Sequence, residues 1–315
     1  MIVTKNLTKN YGNLTAVDKI NLTIHDGESF GLLGPNGAGK TTVLMMLLGI
    51  LKPTSGEVLI DGMRIQTDSF TIKRRIGVVA EYQIFYDEMT AWEYLMFFAK
   101  LFEVENFETR ANDLLARINL QEWKDVLVGG FSAGMKKKLS FIRALIHSPD
   151  YLMLDEPVSG LDPFGIIQVR ELLSQEQKKG TTILISSHIL SEVEKTVARV
   201  GIMANGHLIA QDFMNNLSYK VGRSEQVDMK FANLNKADVN AFTSLKVVKK
   251  AEQKGNSITL FIEMGANNSL EEIGKCILNR QLVVLNMQKK ETSLEEAFIT
   301  ITKNNLDSFT DSMKG

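Results

Sequence analysis

The chain has 315 residues, of which 44% are hydrophobic and 23% carry a charge, and its formal net charge is −1. This composition is typical of a globular protein with enough length for two domains. A net charge near zero gives no electrostatic sign of a nucleic-acid partner, although it leaves room for a local basic patch. The one cysteine, Cys276, excludes an intramolecular disulfide and suits a reducing compartment.

The sequence predicts no segment that crosses a membrane. Residues 1–12 lack the charged-then-apolar pattern of a signal peptide. The longest apolar run, Val43–Leu51, is shorter than the roughly 20 residues that a helix needs to span a bilayer. Any membrane role of this chain is therefore expected to depend on a partner protein.

Two strands are predicted near the start of the chain, over residues 2–5 and 20–24, with Tyr11 and Gly12 in the turn between them. An aromatic ring ahead of a phosphate-binding loop can stack on a nucleotide base, which contributes about 1–3 kcal/mol. From the residues alone, a half-buried tyrosine at the end of a strand is an equally good interpretation of Tyr11.

The next stretch, Gly34–Thr41, fits the phosphate-loop pattern G-x-x-x-x-G-K-[ST]. A short buried strand, Glu28–Leu33, is predicted before it, and a buried helix, Thr42–Leu51, after it. Glycines let successive backbone N–H groups point at phosphate oxygens, and the helix start adds partial positive charge. Lys40 can reach the β- and γ-phosphates, and the Thr41 hydroxyl can ligate Mg²⁺. The nucleotide-binding residues predicted here are Gly34, Pro35, Asn36, Gly37, Ala38, Gly39, Lys40, Thr41 and Thr42.

Further strands are predicted over Glu57–Ile60 and Ile76–Ala80, and two helices follow within Ala91–Leu120, with a break near Asn106. The helical stretch is rich in aromatic residues, namely Trp92, Tyr94, Phe97, Phe98, Phe102 and Phe107. Such a stripe usually packs in a core, but a helical region this aromatic could also dock a partner.

A second anion-binding helix start is predicted at Ser132–Gly134, with the helix running to His147. Free N–H groups and the Ser132 hydroxyl would face the anion there. The following lysine run, Lys136–Lys138, could add positive charge nearby, but a solvated helix face is the preferred interpretation.

The segment Tyr151–Leu154 is predicted to be an apolar strand that ends in two carboxylates, Asp155 and Glu156. This arrangement suits a metal-and-water site. Asp155 could hold Mg²⁺ directly or through water, and Glu156 could orient or deprotonate an attacking water. An ordinary solvated turn is the alternative, and the phosphate loop elsewhere in the chain favours the catalytic interpretation.

Beyond Glu156, the predicted elements are a loop over Val158–Asp162, a helix over Pro163–Lys179, a strand over Thr181–Ser186, and a hairpin of Val200–Ala204 and His207–Gln211. His188 follows the strand. A lone histidine is usually structural, but parallel sheets bind ligands at the carboxyl ends of their strands. A contact from His188 to a γ-phosphate is therefore a plausible second interpretation.

The order of the predicted strands and helices changes after about residue 218. Strands are predicted over Val227–Phe231, Val247–Ala251, Ser257–Glu263 and Leu282–Gln288, and helices over Lys236–Ser244, Ser269–Arg280 and Ser293–Thr302. The order β-α-β-β-α-β-α suggests a small ferredoxin-like unit. Ser293 and Glu296 are placed as a helix capping box. No metal-binding or nucleophile pattern is present in this region.

Taken in order, these motifs resemble the nucleotide-binding subunit of an ABC transporter over roughly residues 1–215. The stretch FSAGM at Phe131–Met135 is similar to the family's signature, usually L-S-G-G-Q. The stretch VSGLD at 158–162 is similar to its D-loop, which adds Asp162 to the nucleotide-binding residues. The resemblance implies that His188 is the switch histidine and that Tyr11 stacks on adenine.

The resemblance implies an α/β fold, with a P-loop NTPase (RecA-like) core, an antiparallel β subdomain and a helical subdomain at about 88–150. Residues 1–217 would form the ATP-binding domain. Residues 218–315 would form a C-terminal domain similar to the accessory domain of the drug-, antibiotic- and bacteriocin-export branch. This domain is expected to support dimerisation or regulation.

The chain departs from the family pattern in the signature and at the Q-loop position. Ala133 replaces a signature glycine, and its methyl group could loosen the backbone's approach to phosphate; Met135 stands where glutamine is usual. The Q-loop position falls on Glu81, where many relatives have glutamine, and Gln83 would be displaced from that place. Glu81 could still ligate Mg²⁺ or order water, but it adds negative charge near the γ-phosphate.

The function that the resemblance implies is ATP hydrolysis with Mg²⁺, by a homodimer or a pseudo-symmetric heterodimer of such subunits. Each ATP would lie between the phosphate loop of one subunit and Ser132 and Gly134 of the other. Integral membrane permease subunits would be the partners, their cytoplasmic helix docking near Glu81 and the aromatic helices. The chain would then lie at the cytoplasmic face of the cell membrane, and no nucleic-acid partner is expected.

Two other classes of protein remain as alternatives. One is a soluble ABC-type ATPase of translation or DNA maintenance, but the chain has one phosphate loop and no sustained heptads. The other is a nucleotide-gated binding module without real turnover. Lys40, Asp155, Glu156 and His188 argue against that module, while Glu81 and Ala133 leave it some room.

Overall fold

A computed structural model of the chain describes residues 1–214, 216, 225–262 and 268–291. The chain forms two compact units, Met1–Met214 and Asn215–Gly315. In the first unit the strands are β1 Ile2–Tyr11, β2 Leu14–Ile24, β3 Ser29–Leu33, β4 Ser55–Ile60, β5 Met63–Arg64, β6 Ile76–Val79, β7 Tyr151–Asp155, β8 Thr182–Ser187, β9 Arg199–Ala204 and β10 His207–Phe213. Its helices are α1 Lys40–Leu47, α2 Ser69–Lys73, α3 Ala91–Leu101, α4 Phe107–Arg117, α5 Ala133–Leu145, α6 Pro163–Lys178 and α7 Leu190–Val193.

The core of the first unit is a six-stranded sheet with the order β10-β9-β3-β8-β7-β6. All of its pairings are parallel except that of β9 with β10. Every residue of β3, β7 and β8 is buried, as expected for parallel strands covered on both faces. The carboxyl ends of these strands therefore meet at one edge, where the phosphate loop and the residues after β7 and β8 come together.

An antiparallel sheet with the order β2-β1-β4-β5 shares its hydrophobic core with helix α1 and the six-stranded sheet. Strands β1 and β2 are longer than the predicted strands at residues 2–5 and 20–24. The prediction stopped short because β-bulges interrupt the alternation between Thr4 and Asn10. Asn6, for example, has a left-handed φ of 46°. Helix α1 is shorter than predicted because Gly49 adopts a left-handed φ of 61° just after it.

The aromatic stretch forms two helices, α3 and α4. A capping box of Thr90 and Glu93 begins α3, and Asn106, with φ 54°, separates it from α4 as predicted. The aromatic residues divide between two environments. Tyr94 is fully buried, whereas Phe97 is 43% exposed and packs edge-on against Tyr86. The buried Tyr94 fits core packing, and the exposed Phe97 fits the docking of a partner, so the structure is compatible with both interpretations of the stripe.

The second unit contains β11 Glu225–Phe231, α8 Lys236–Thr243, β12 Val248–Lys254, β13 Ser257–Ile262, α9 Ser269–Asn279 and β14 Val284–Glu291. Its strands form an antiparallel sheet with the order β12-β13-β11-β14. Phe231, Phe242, Leu260 and Ile273 form part of a core between the sheet and the helices. The predicted last helix, with its capping box of Ser293 and Glu296, lies outside the described residues. No helix among the described residues is both long enough and apolar enough to cross a bilayer.

Candidate ATP-binding site

A cleft of about 380 Å³ lies at the carboxyl edge of the six-stranded sheet. Its lining comes from the phosphate loop and from the segments that follow β6, β7 and β8. The residues that line it are Ala16, Asn36, Gly37, Ala38, Gly39, Lys40, Thr41, Thr42, Glu81, Tyr82, Glu156 and His188. Of these, Ala16 and Tyr82 are not among the site residues predicted from the sequence. The topology thus gathers at one place residues that lie up to 172 positions apart in the chain.

Backbone geometry explains the glycines of the phosphate loop. Gly39 has φ 98°, and a Cβ atom there would lie 2.4 Å from the Ala16 carbonyl oxygen. A Cβ atom on Gly34 would lie 2.5 Å from the Met203 carbonyl oxygen. Side chains at these positions would therefore displace the loop from the strands behind it. The glycines keep its backbone compact, so that N–H groups can converge on an anion.

The Lys40 side chain is buried and lies folded against its own loop. Its Nζ donates hydrogen bonds to the carbonyl oxygens of Gly34, at 2.7 Å, and Pro35, at 3.2 Å. Burial lowers the pKa of the Lys40 ammonium, and the negative charges of Glu156, Asp155 and Glu81 act in the opposite direction. The cation thus faces the carboxylates of the cleft and is available to an anionic ligand.

Asp155 and Thr41 form the oxygen-rich part of the site. The Thr41 hydroxyl donates to Asp155 Oδ2 at 3.0 Å, and the Ser186 hydroxyl donates to Asp155 Oδ1. Hydroxyl and carboxylate oxygens are the ligands that Mg²⁺ prefers. Among the described residues, no group of three or more His, Cys, Asp or Glu side chains could hold a metal alone. The donor set therefore fits a Mg²⁺ ion that takes its other ligands from nucleotide phosphates and water.

Glu156 is held from both sides at the end of β7. Its Oε1 lies 2.9 Å from His188 Nδ1, and its Oε2 accepts a hydrogen bond of 3.1 Å from the Ser187 hydroxyl. Its backbone has a left-handed φ of 44°, which costs a non-glycine residue free energy. This conformation turns the carboxylate out of the strand direction, and Glu156 and His188 both line the cleft.

Seven predicted site residues do not line the cleft: Gly34, Pro35 and Asp155, which bind the lining residues Lys40 and Thr41, and Tyr11, Ser132, Gly134 and Asp162. Tyr11 ends β1, is 48% exposed, and has Lys9 Nζ 5.3 Å from its ring centre. The Ser132 hydroxyl accepts from the Met135 N–H at 3.2 Å and so caps α5, next to Gly134. Asp162 caps α6 in the same way, accepting from the Gly165 N–H at 2.8 Å. The geometry within one chain thus leaves the signature segment apart from its own phosphate loop.

Glu81 and Gln83 differ in their position relative to the cleft. Glu81 lines the cleft, and Gln83 does not. The Gln83 side-chain amide lies against the Arg143 guanidinium, where its oxygen can accept a hydrogen bond. Gln83 therefore does not take the place of Glu81 in the cleft.

The prediction of a solvated face for the lysine run was wrong. Lys136 Nζ pairs with Asp87 at 2.8 Å, and Lys138 Nζ donates to Gln168 Oε1 at 2.7 Å. Lys137 is only 8% exposed and donates to the Ala80 carbonyl oxygen at 3.1 Å. The spacing could have revealed it, because Lys137 lies one turn before the buried Phe141 on the same helix face.

Ser187 is a second residue that the sequence analysis passed over. Besides its hydrogen bond to Glu156, its hydroxyl accepts one from the Ile189 N–H at 3.1 Å. A serine before a histidine carries no distinctive spacing, so only the fold reveals that it contacts the Glu156 carboxylate.

Comparison with known proteins indicates the family to which the chain belongs. The family model described as ABC transporter matches residues 17–159. The bacitracin transport ATP-binding protein of Bacillus licheniformis is 37% identical over 302 residues, which covers 96% of this chain and 97% of that protein. The chain belongs to the ABC transporter ATP-binding proteins. A linearmycin resistance ATP-binding protein of Bacillus subtilis is 31% identical, covering 96% of this chain and 98% of that protein.

Solved structures of ABC ATP-binding subunits share the fold. One ATP-binding subunit superimposes with a TM-score of 0.67 at 28% identity, covering 70% of this chain and 93% of its own. A dimeric ATP-binding cassette in a post-hydrolysis state with ADP and Pi gives 0.62 at 25% identity, covering 68% of this chain and 99% of its own.

Membership of the ABC family decides among the functional alternatives. The ABC ATPase fold of the first unit is confirmed. The chain is an ATP-binding and ATP-hydrolysing subunit of an ABC transporter. The relatives favour this function over a soluble ATPase and over a binding module without turnover.

Proposed function

We propose that this subunit powers the export of an antibiotic peptide, a drug or a similar substrate through separate membrane subunits. The observation that carries the proposal is the extent of the similarity to the bacitracin transport and linearmycin resistance proteins. It covers 96% of this chain in each case, so it includes the C-terminal unit. A match confined to the first unit would have supported ATP hydrolysis without indicating a branch of the family.

The complete ATP site is proposed to need two copies of such a subunit, as a homodimer or a pseudo-symmetric heterodimer. Ser132, Gly134 and Asp162 do not line the cleft of their own chain, and the exposed Ser132 and Asp162 can be reached by a second subunit. A related cassette is dimeric in its structure with ADP and Pi. Tyr11, exposed at the end of β1, is proposed to stack on adenine.

Within the site, the proposed roles follow from the contacts of each side chain. Lys40 would leave the Gly34 and Pro35 carbonyl oxygens for the β- and γ-phosphates. Thr41, Asp155 and Glu81 would hold Mg²⁺, which supplies charge neutralisation for the phosphates when bound. Glu156 would orient the attacking water and accept its proton, and His188 would contact the γ-phosphate.

The membrane partner is proposed to dock beside Glu81. Tyr82 and Ile84 are 87% and 92% exposed, and Phe97 on α3 presents further apolar surface. A cytoplasmic helix of a permease would cover these side chains and place the subunit at the cytoplasmic face of the membrane. Solvent-exposed apolar groups of this size are typical of protein interfaces.

The domain assignment is also a proposal, with residues 1–217 binding ATP and residues 218–315 forming an accessory domain. The division into compact units between Met214 and Asn215 supports it. A ferredoxin-like fold for the second unit is supported by the order β-α-β-β-α-β and by the antiparallel sheet order β12-β13-β11-β14.

The export proposal can be tested in the native host. Replacement of Lys40 by alanine removes a phosphate contact, so we expect the strain to become more sensitive to bacitracin or linearmycin. Susceptibility to an antibiotic that acts inside the cell serves as the control. Copurification of an integral membrane protein with the wild-type chain would identify the permease. Unchanged susceptibility to both compounds would contradict this substrate class, while leaving ATP hydrolysis untouched.

A further inference from the structure

Helix α5 lies directly along strand β6, the edge strand of the six-stranded sheet. The contact is close, since a Cβ atom on Gly77 would lie 2.1 Å from the Ala144 carbonyl oxygen. An exposed sheet edge presents unpaired backbone groups, and proteins commonly cover it. Here side chains of α5, the helix that Ser132 caps, bind such groups.

Two cations of α5 bind backbone carbonyl groups of this edge segment. Lys137 Nζ donates to the Ala80 oxygen at 3.1 Å, and Arg143 Nη2 donates to the Val78 oxygen at 2.7 Å. Residues 78 and 80 are alternate positions, whose carbonyl groups point to the same side of an extended chain. The lysine therefore holds the chain at the residue immediately before Glu81.

Lys137 is also within electrostatic range of the carboxylates at the ATP cleft. Burial lowers the pKa of its ammonium group, and the negative charges of Asp155, Glu81 and Glu156 oppose that change. It is the second buried lysine, after Lys40, on which these three carboxylates act. A buried cation destabilises a fold unless opposite charge or hydrogen bonds compensate. Attraction to these three carboxylates therefore explains why a lysine can be buried at this position.

We propose that Lys137 is a positioning residue that fixes the chain before Glu81 and offsets the negative charge that Glu81 adds at the γ-phosphate end of the cleft. Lys137 lies five residues after Ser132, or roughly 7.5 Å along the helix axis. It therefore connects the signature end of α5 to the segment that carries Glu81. The inference rests on the proposed placement of the γ-phosphate beside Glu81.

The test is a double-mutant cycle on the purified full-length chain, with kcat and KM for MgATP measured separately. For Lys137→Met we expect kcat to fall about tenfold, because the hydrogen bond that fixes the chain before Glu81 is lost, and KM to rise about twofold to fivefold, because the Glu81 charge is no longer offset. Lys137→Arg keeps the charge and should retain most of kcat. Lys138→Met, a neighbour on the same helix that binds Gln168, is the matched control and should leave kcat within about twofold.

Repeating the Lys137→Met substitution in a Glu81→Gln background separates a charge effect from a packing effect. If Lys137 offsets the Glu81 charge, Lys137→Met should raise KM clearly less in that background than in the wild type. An equal rise in KM in both backgrounds would overturn the inference, and so would a wild-type kcat for Lys137→Met. If Lys137→Met does not fold, the cycle is measured with Lys137→Gln. A wild-type chain whose hydrolysis does not depend on Glu156 would instead overturn the site assignment, which makes the two failures distinguishable.

Discussion

Glu156 Oε1 lies 2.9 Å from His188 Nδ1, across the ends of the neighbouring strands β7 and β8. The Ser187 hydroxyl holds the other carboxylate oxygen of Glu156. Both oxygens of the proposed base are therefore fixed before any ligand binds. Such preorganisation matters because a base acts only on a water that it can reach with the correct geometry.

Replacement of Ser187 by alanine should lower kcat about tenfold, since a hydrogen bond to a charged acceptor contributes about 1.5–3 kcal/mol. The KM for MgATP should change little, because Ser187 does not line the cleft. Steady-state ATPase assays on the full chain measure both constants. Ser187→Thr keeps the hydroxyl and is the control. An alanine variant with wild-type kcat and an unchanged melting temperature would show that Ser187 does not position Glu156.

Replacement of Thr41 by valine should raise the Mg²⁺ concentration needed for half-maximal ATPase by about tenfold or more, because one proposed oxygen ligand is lost. A Mg²⁺ titration at fixed ATP measures this shift. Thr41→Ser retains the hydroxyl and should behave like the wild type. An identical Mg²⁺ dependence for the valine variant would remove Thr41 from the proposed metal site.

Replacement of Glu81 by glutamine should lower the KM for MgATP about twofold to fivefold, with kcat largely retained. The amide oxygen can still act as a ligand, and one negative charge facing the phosphates disappears; two unit charges about 4 Å apart interact by about 1 kcal/mol in bulk water. The difference from the wild type should shrink as salt is added. A higher KM for the glutamine variant would mean that the Glu81 charge helps binding.

Truncation at about residue 218 should weaken dimerisation or change the ATPase rate, if the C-terminal unit is an accessory or regulatory domain. Light scattering with and without ATP measures the oligomeric state. Retained ATP binding shows that the first unit still folds. Unchanged dimerisation, ATPase activity and transport would exclude this role.

The parts of the fold that the sequence predicted well have strong local signals. The apolar runs of β3 and β7 and the glycine pattern of Gly34–Thr41 each define their own structure. Strand β1 was predicted too short because its bulges near Asn6 break the alternation from which a strand is recognised.

The site was less predictable than the fold where it depends on distant contacts. Three consecutive lysines look solvated, and only the packing of α5 on β6 buries Lys137. Ser187 contacts Glu156 only because β7 and β8 are neighbours. Ser132 is a site residue in the family pattern, yet within one chain its hydroxyl serves only as a helix cap. Its proposed ligand contact requires a second copy.

Glu156 is proposed to drive hydrolysis of an ATP held between two such subunits. The most direct test is Glu156→Gln, with the ATPase rate and the ATP-dependent oligomeric state measured on one preparation. We predict that the rate falls about a hundredfold or more, and that the variant forms a stable dimer with unhydrolysed ATP. Near wild-type hydrolysis by the glutamine variant would contradict the account.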